Sequence, residues 1–130
     1  MRNTAREAAF QIVFARQFHE DCGQGFRNSV YRREKLGEDD KAFAERVFAA
    51  VQEHYEELSA LIAERVDRFA EYRIYPADKA ALLVALAEIK DRDDVPPVVS
   101  VSEATSIARK YSTEKSADFV NGVLGGVINQ

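Results

Sequence analysis

The sequence predicts an all-α protein, a compact bundle of six or seven helices. Apolar residues recur at three- and four-residue steps from one end to the other, the spacing that gives a helix one inward face. Residues 98–101 (Val-Val-Ser-Val) form the one run that could instead be a short strand, and no second β-like run exists to pair with it. Three prolines and six glycines leave no room for long linker or collagen-like segments.

The elements follow in order. Over residues 5–18 one stripe joins Ala5, Ala9, Ile12 and Val13, and a second joins Phe10, Phe14 and Phe18. So wide an apolar face predicts a helix gripped by more than one neighbour. Residues 19–25 carry two glycines and predict a break. A short helix is expected from Phe26 to about Lys35, with Phe26, Val30 and Tyr31 inward and Arg27, Arg32, Arg33 and Lys35 outward. Asp39 and Asp40 suit the start of the next helix, as caps or as charges at its positive end. Phe43, Val47, Val51, Tyr55, Leu58, Leu61, Ile62, Val66 and Phe69 continue one stripe, long enough to predict a bend near residues 53–58.

Pro76 fits the first turn of another helix, and residues 80–87 are apolar on nearly every face, which places that helix mid-bundle. Pro96 and Pro97 end the segment that follows, after residues 91–95. Ser100-Val101-Ser102-Glu103 matches a capping box, with Val101, Ala104, Ala108 and Tyr111 on one face beyond it. A final helix aligns Phe119, Val120, Val123, Leu124, Val127 and Ile128, whose periodicity outweighs the turn signal of Asn121-Gly122.

With 130 residues the chain has about one domain's length. Lys and Arg number 18 against 22 Asp and Glu, a net charge of −4, which excludes coating nucleic acid by bulk charge and leaves room for a local basic patch. Acids crowd residues 38–64, while the first helix and residues 109–115 carry local cations. The lone Cys22 makes no internal disulfide. The N-terminal charges precede no continuous apolar run, so no signal peptide is expected, and residues 80–87 are too short to cross a bilayer. A soluble, reduced, cytoplasmic protein is expected.

Catalytic and metal constellations are weak. His19 and Cys22 have H-x-x-C spacing, but a closed zinc site needs four ligands and only His54 remains as a further nitrogen or sulfur donor. His54 and Glu57 lie one turn apart, yet Glu53, Glu56 and Glu57 read as a solvated face. No nucleophile elbow, P-loop or dinucleotide fingerprint occurs, and Gly122, Gly125 and Gly126 read as close helix packing. No enzyme, cofactor or metal is expected. Arg2 and Arg6 share one face beside the free amino group, at a helix end whose dipole favours anions. They are either a phosphate site or ordinary surface charge. Arg109, Lys110 and Lys115 flank Tyr111, which is either a stacking platform for single-stranded RNA or core.

These segments carry a family resemblance. Ala5-Arg6-Glu7-x-Ala9-x-Gln11 resembles the opening signature of the NusB family of bacterial transcription antitermination factors. Asp94-Val95-Pro96-Pro97, Ser102-Glu103-Ala104, Ala108-Arg109-Lys110-Tyr111 and Phe119-Val120-Asn121-Gly122-Val123-Leu124 are similar to its C-terminal signature, in the same order. The last string is the most specific. The same fold also opens a ribosomal RNA cytosine methyltransferase, but the chain ends just after the final helix and no catalytic domain is expected.

The resemblance implies one NusB-like domain of two small helical subdomains, about 1–70 and 71–130. It implies a non-enzymatic factor that pairs with NusE, a small-subunit ribosomal protein, and binds boxA-type RNA within the RNA polymerase antitermination complex, notably on ribosomal RNA operons. On that analogy Arg2 and Arg6 contact RNA, and Lys110, Tyr111 and Phe119 lie on or beneath the RNA surface. Phe14 and Asp78 face NusE. Asn3 and Thr4 stand where many relatives carry arginines, Leu83 replaces an Arg and Lys115 replaces an acid. Fewer N-terminal cations imply a shallower salt dependence, which Lys115 partly offsets. The alternative of another class is a protein–protein module with weak or lost RNA binding, self-associating as a homodimer through the partner surface.

Overall fold

The computed structural model describes residues 2–18, 22–66, 74–91 and 94–129. Among them are seven helices and no strand: α1 (Arg2–Arg16), α2 (Gln24–Arg33), α3 (Glu38–Glu53), α4 (Tyr55–Val66), α5 (Pro76–Asp91), α6 (Pro97–Tyr111) and α7 (Glu114–Ile128). The expected inward position of Phe69, the helix end at Arg92 and Asp93, the loop residues His19 to Asp21, the amino group of Met1 and the division near residue 70 lie outside the described residues.

The apolar stretch of α5 sets the architecture. Ala80 through Ala87 are all buried, and α5 packs against α1, α3, α4, α6 and α7. Complete burial of Leu82 and Leu83 contributes about 1.5–3 kcal/mol each. On α1 the stripe Ala5, Ala9, Ile12 and Val13 is fully buried against α3 and α5. The second stripe divides: Phe10 is buried, whereas Phe14 and Phe18 are 37% and 60% exposed.

Several boundaries differ from the sequence reading for identifiable reasons. The long run after Phe43 breaks at His54, which leaves helical geometry as the end residue of α3 and pairs through Nδ1 with Glu57 Oε2 at 3.3 Å. Asp39 and Asp40 act as first-turn charges, since Gly37 takes the cap position of α3. Helix α6 begins at Pro97, not after a capping box: Ser100 is already inside the helix and buried, and Pro97 supplies the preset backbone angle of a first helical residue. That start also makes residues 98–101 helical. The Asn121-Gly122 pair sits within α7, whose start is capped by Thr113 Oγ1 accepting from the Ser116 amide at 2.9 Å.

Helix α2 is inverted relative to expectation at two positions. Phe26 is 43% exposed, while Arg27 turns inward and donates to Glu45 Oε2 of α3 at 2.8 Å. Tyr31 also donates to Glu45, and Arg27 lies 4.8 Å from the Phe48 ring. Burial pushes the Glu45 carboxyl up, but the bonds from Arg27 and Tyr31 outweigh it and hold it below its ordinary range. Cys22, in the break between α1 and α2, is buried, with its thiol 3.8 Å from the Ile12 carbonyl. Helix α2 ends in a Schellman motif: Leu36 N–H donates to the Tyr31 carbonyl (3.0 Å) and Lys35 N–H to that of Arg32 (3.1 Å). Lys35 takes the left-handed position that glycine usually fills, with φ 58°.

Glycine packing in α7 is looser than expected. A Cβ at Gly125 would meet nothing within 4 Å, and one at Gly126 would meet Arg65 Nη1 at 3.4 Å.

Candidate nucleic-acid interface

The end of α6 crosses the first half of α1, and the crossing builds a small aromatic and charged platform. Tyr111 sits 40% exposed with its ring centroid 4.9 Å from that of Phe10. Its hydroxyl donates to Glu7 Oε1 at 3.0 Å and accepts from Gln11 Nε2 at 3.3 Å. Lys110 donates to the same Glu7 oxygen at 2.6 Å and lies 5.5 Å from the Tyr111 ring. The bond and charge of Glu7 raise the Lys110 pKa; burial and the Glu7 bond raise that of Tyr111. Tyr111 is a half-exposed ring beside an ammonium group. That pairing offers a base a stacking face and a phosphate a cation.

The sequence reading passed over Glu7 and Gln11, although both belong to the opening signature and stand four residues apart on one face of α1. They hold the platform together.

The remaining candidates separate by burial. Arg2 is exposed at the start of α1, its guanidinium carbon 4.4 Å from the centroid of the Phe43 ring. Lys115 is exposed at the start of α7. Arg109 pairs with Glu114 at 2.8 Å. Arg6 departs from the expectation of a solvent-facing fork: it is 5% exposed and binds Glu88 of α5, with Nε 2.9 Å from Oε2 and Nη2 2.5 Å from Oε1. The reason is its position on α1, one turn before Phe10 on the second stripe, where it meets Glu88 of α5 and also lies 5.2 Å from the Phe43 ring. Phe119 is 4% exposed and belongs to the core, beneath the surface.

Of the two residues expected to face a partner, Phe14 is exposed and Asp78 is not. Asp78 is completely buried in the first turn of α5 and accepts from Ser116 Oγ at 3.1 Å, tying α5 to α7. Its carboxylate is thus an internal strut. Phe14 belongs to a row in which Phe10–Phe14 and Phe14–Phe18 centroids are 6.3 Å and 5.3 Å apart. Between Phe10, Gln11, Phe14, Ala77 and Tyr111 lies an open groove of about 310 Å³. The groove and the platform share Tyr111, so one side chain borders both surfaces. Among the described residues no group of three His, Cys, Asp or Glu side chains could hold a metal, and no helix is long and apolar enough to cross a membrane.

Five helices packed on the buried α5, α2 resting on α1, and a cationic aromatic platform beside an apolar groove define a helical bundle with an exposed binding surface. The sequence model of the NusB family matches residues 3–129. The chain belongs to the NusB family. A relative from Methylacidiphilum infernorum, named transcription antitermination protein NusB, is 35% identical over 130 residues, covering 98% of this chain and 90% of its own. One of the same name from Agathobacter rectalis is 33% identical over 125 residues, covering 95% of each chain. The solved structure of T. maritima NusB superposes with a TM-score of 0.84 at 26% identity, covering all of this chain and 92% of that one. A crystal structure of NusB and NusE in complex with double-stranded RNA has a TM-score of 0.82 at 22% identity, covering 97% and 94%, and speaks for the fold.

Proposed function

We propose that this chain is a cytoplasmic transcription antitermination factor that binds boxA-type RNA together with NusE and enters the RNA polymerase antitermination complex on ribosomal RNA operons, without catalysing a reaction. The observation that carries the reading is the family match over residues 3–129, whose relatives bear the antitermination name. The platform supports it chemically. Arg2, Lys110 and Lys115 supply cations for phosphates, and Tyr111 supplies a stacking face. Arg6 and Phe119 act from below, by fixing α1 and α7 under that surface. The groove at Phe14 takes an apolar side chain of NusE, and Asp78 holds the α5–α7 corner behind it.

A basic ribosomal partner would add cations that this acidic chain lacks, so the RNA site is completed in the complex. The test is a gel shift with boxA-like and scrambled RNA, each with and without purified NusE. Expected is cooperative retention of the boxA-like RNA alone, lost in Tyr111→Ala, with NusE capture lost in Phe14→Ser. Equal shifts for both RNAs would remove the claim of specific recognition. The exposed Phe14–Phe18 row also favours a second reading, a homodimer through the same groove when NusE is absent. Sedimentation of wild type and Phe14→Ser would separate monomer from dimer.

A further inference from the structure

A second cationic cleft lies between the end of α2 and the start of α3. It has a volume of about 420 Å³ and is lined by Asn28, Tyr31, Arg32, Lys35, Leu36 and Lys41, within the size range of ligand pockets. Three of its six lining residues are cations, in a chain whose net charge is −4. Lys41 is engaged, 3.3 Å from Glu38 Oε1. Arg32 and Lys35 are exposed and make no ion pair among the described residues. Tyr31 and Leu36 give the cleft an apolar floor.

Lys35 is the one non-glycine residue at positive φ among those described. Its left-handed backbone is where a glycine would sit without strain. Holding a lysine there adds to the cleft lining a cation with no ion pair among the described residues.

The cleft is joined to the platform on α1 and α6. Gln11, whose amide donates to Tyr111, accepts a bond from Arg33 and donates to Glu34 Oε2 at 3.4 Å. Arg33 and Glu34 follow Arg32 directly and precede Lys35. Of the acids nearest this route, Glu7 is bonded to Lys110, Glu34 to Gln11 and Glu38 to Lys41, and Asp39 lies exposed in the first turn of α3. A strand lying on Tyr111 and Lys110 is therefore led over Gln11 and Arg33 to two unpaired cations. A phosphodiester chain with flanking bases is the polymer whose charges and rings suit cations beside an apolar floor.

Resting on the reading of the chain as an RNA-binding factor, we propose that the α2–α3 cleft is a second backbone-phosphate site, which takes the RNA as it leaves the Lys110–Tyr111 platform. It replaces part of the charge that Asn3 and Thr4 withhold from the first helix.

The experiment uses the full chain with NusE and two RNAs: a boxA core, and the same core carrying about ten added uridines at one end or the other, within the span of ordinary single-strand sites. The variant is Arg32→Gln with Lys35→Gly, since glycine relieves the left-handed position and protects the fold. Salt titrations of wild type should give a steeper slope on one extended RNA than on the core. The variant should lower that slope by about 1.4, or about 0.7 for each cation removed from a single strand, and leave core binding unchanged. Equal slopes for wild type and variant on every RNA overturn the second site while the RNA reading stands. Failure of the wild-type chain to bind any of the RNAs overturns both. Poly-glutamate bound by wild type but not the variant, with no gain from the added uridines, assigns the cleft to an acidic protein segment and also overturns it.

Discussion

Truncating Arg6 separates a structural arginine from an RNA-contacting one. In Arg6→Ala the Glu88 side chain, 1% exposed, loses a bidentate partner. Breaking one side of a buried ion pair costs about 3–5 kcal/mol, because the remaining charge stays desolvated. Typical domains have about 5–15 kcal/mol in total. For a chain of 130 residues, an unfolding entropy near 2.1 cal/mol/K per residue gives about 0.27 kcal/mol/K. The expected loss in Tm is then about 11–18 °C by the same scaling.

Far-UV circular dichroism during heating reads this directly. Removing both charges in Arg6→Met/Glu88→Leu should restore most of the Tm, since well-packed apolar replacements of buried pairs are often neutral or better. The double-mutant cycle isolates the coupling between the two side chains. A fall below about 4 °C in Arg6→Ala, roughly 1 kcal/mol, would refute the burial argument. So would a double variant less stable than the single one. Because Arg6→Ala disturbs the fold, altered RNA binding in it says nothing about direct contact. Arg2 and Lys110, both exposed, are the positions that test contact.

Three further outcomes follow from local chemistry. Glu45 has a depressed folded pKa, so its contribution is fully present above its ordinary value of 4.5 and is lost as pH falls through the lower folded value. Urea midpoints of wild type should therefore fall more steeply below about pH 4.5 than those of Glu45→Gln, and parallel curves would exclude the pair as the acid-labile element. Gly125→Ala meets no neighbour and should stabilise α7 by about 0.5–1 kcal/mol, a Tm rise of about 2–4 °C in calorimetry. Thr113→Ala removes the N-cap of the same helix and should lower stability by about 1 kcal/mol in urea denaturation, with Thr113→Ser retaining it.

Helix periodicity was legible because it is a local signal. The three- and four-residue stripes located α1, α3, α4, α5 and α7, and the overlong run after Phe43 announced its break at His54. The start of α6 and the facing of α2 were not legible. Pro97 can both stop one helix and start the next, and the sequence reading used only the first property. Phe26 faces outward because Arg27 finds Glu45 eighteen residues away, a pairing that no local window contains.

The site divides along the same line. Lys110 and Tyr111 stood out because a cation beside an aromatic is a contiguous pattern, and both remain at the surface. Arg6 was assigned to a surface on its charge and the family resemblance, Asp78 on the resemblance alone, and both are buried by partners far along the chain. Each nevertheless left a trace. Arg6 precedes Phe10, Phe14 and Phe18 at four-residue steps, so it lies on an apolar stripe. Glu88 continues a helix that is apolar on every face, where an acid must be paired or pay heavily in desolvation. An arginine on one apolar stripe and an acid closing another are complementary demands. Charge read against the periodicity of its own helix, rather than against its neighbours in sequence, would have placed Arg6 in the interior and left Lys110, Tyr111 and Arg2 as the groups that meet solvent.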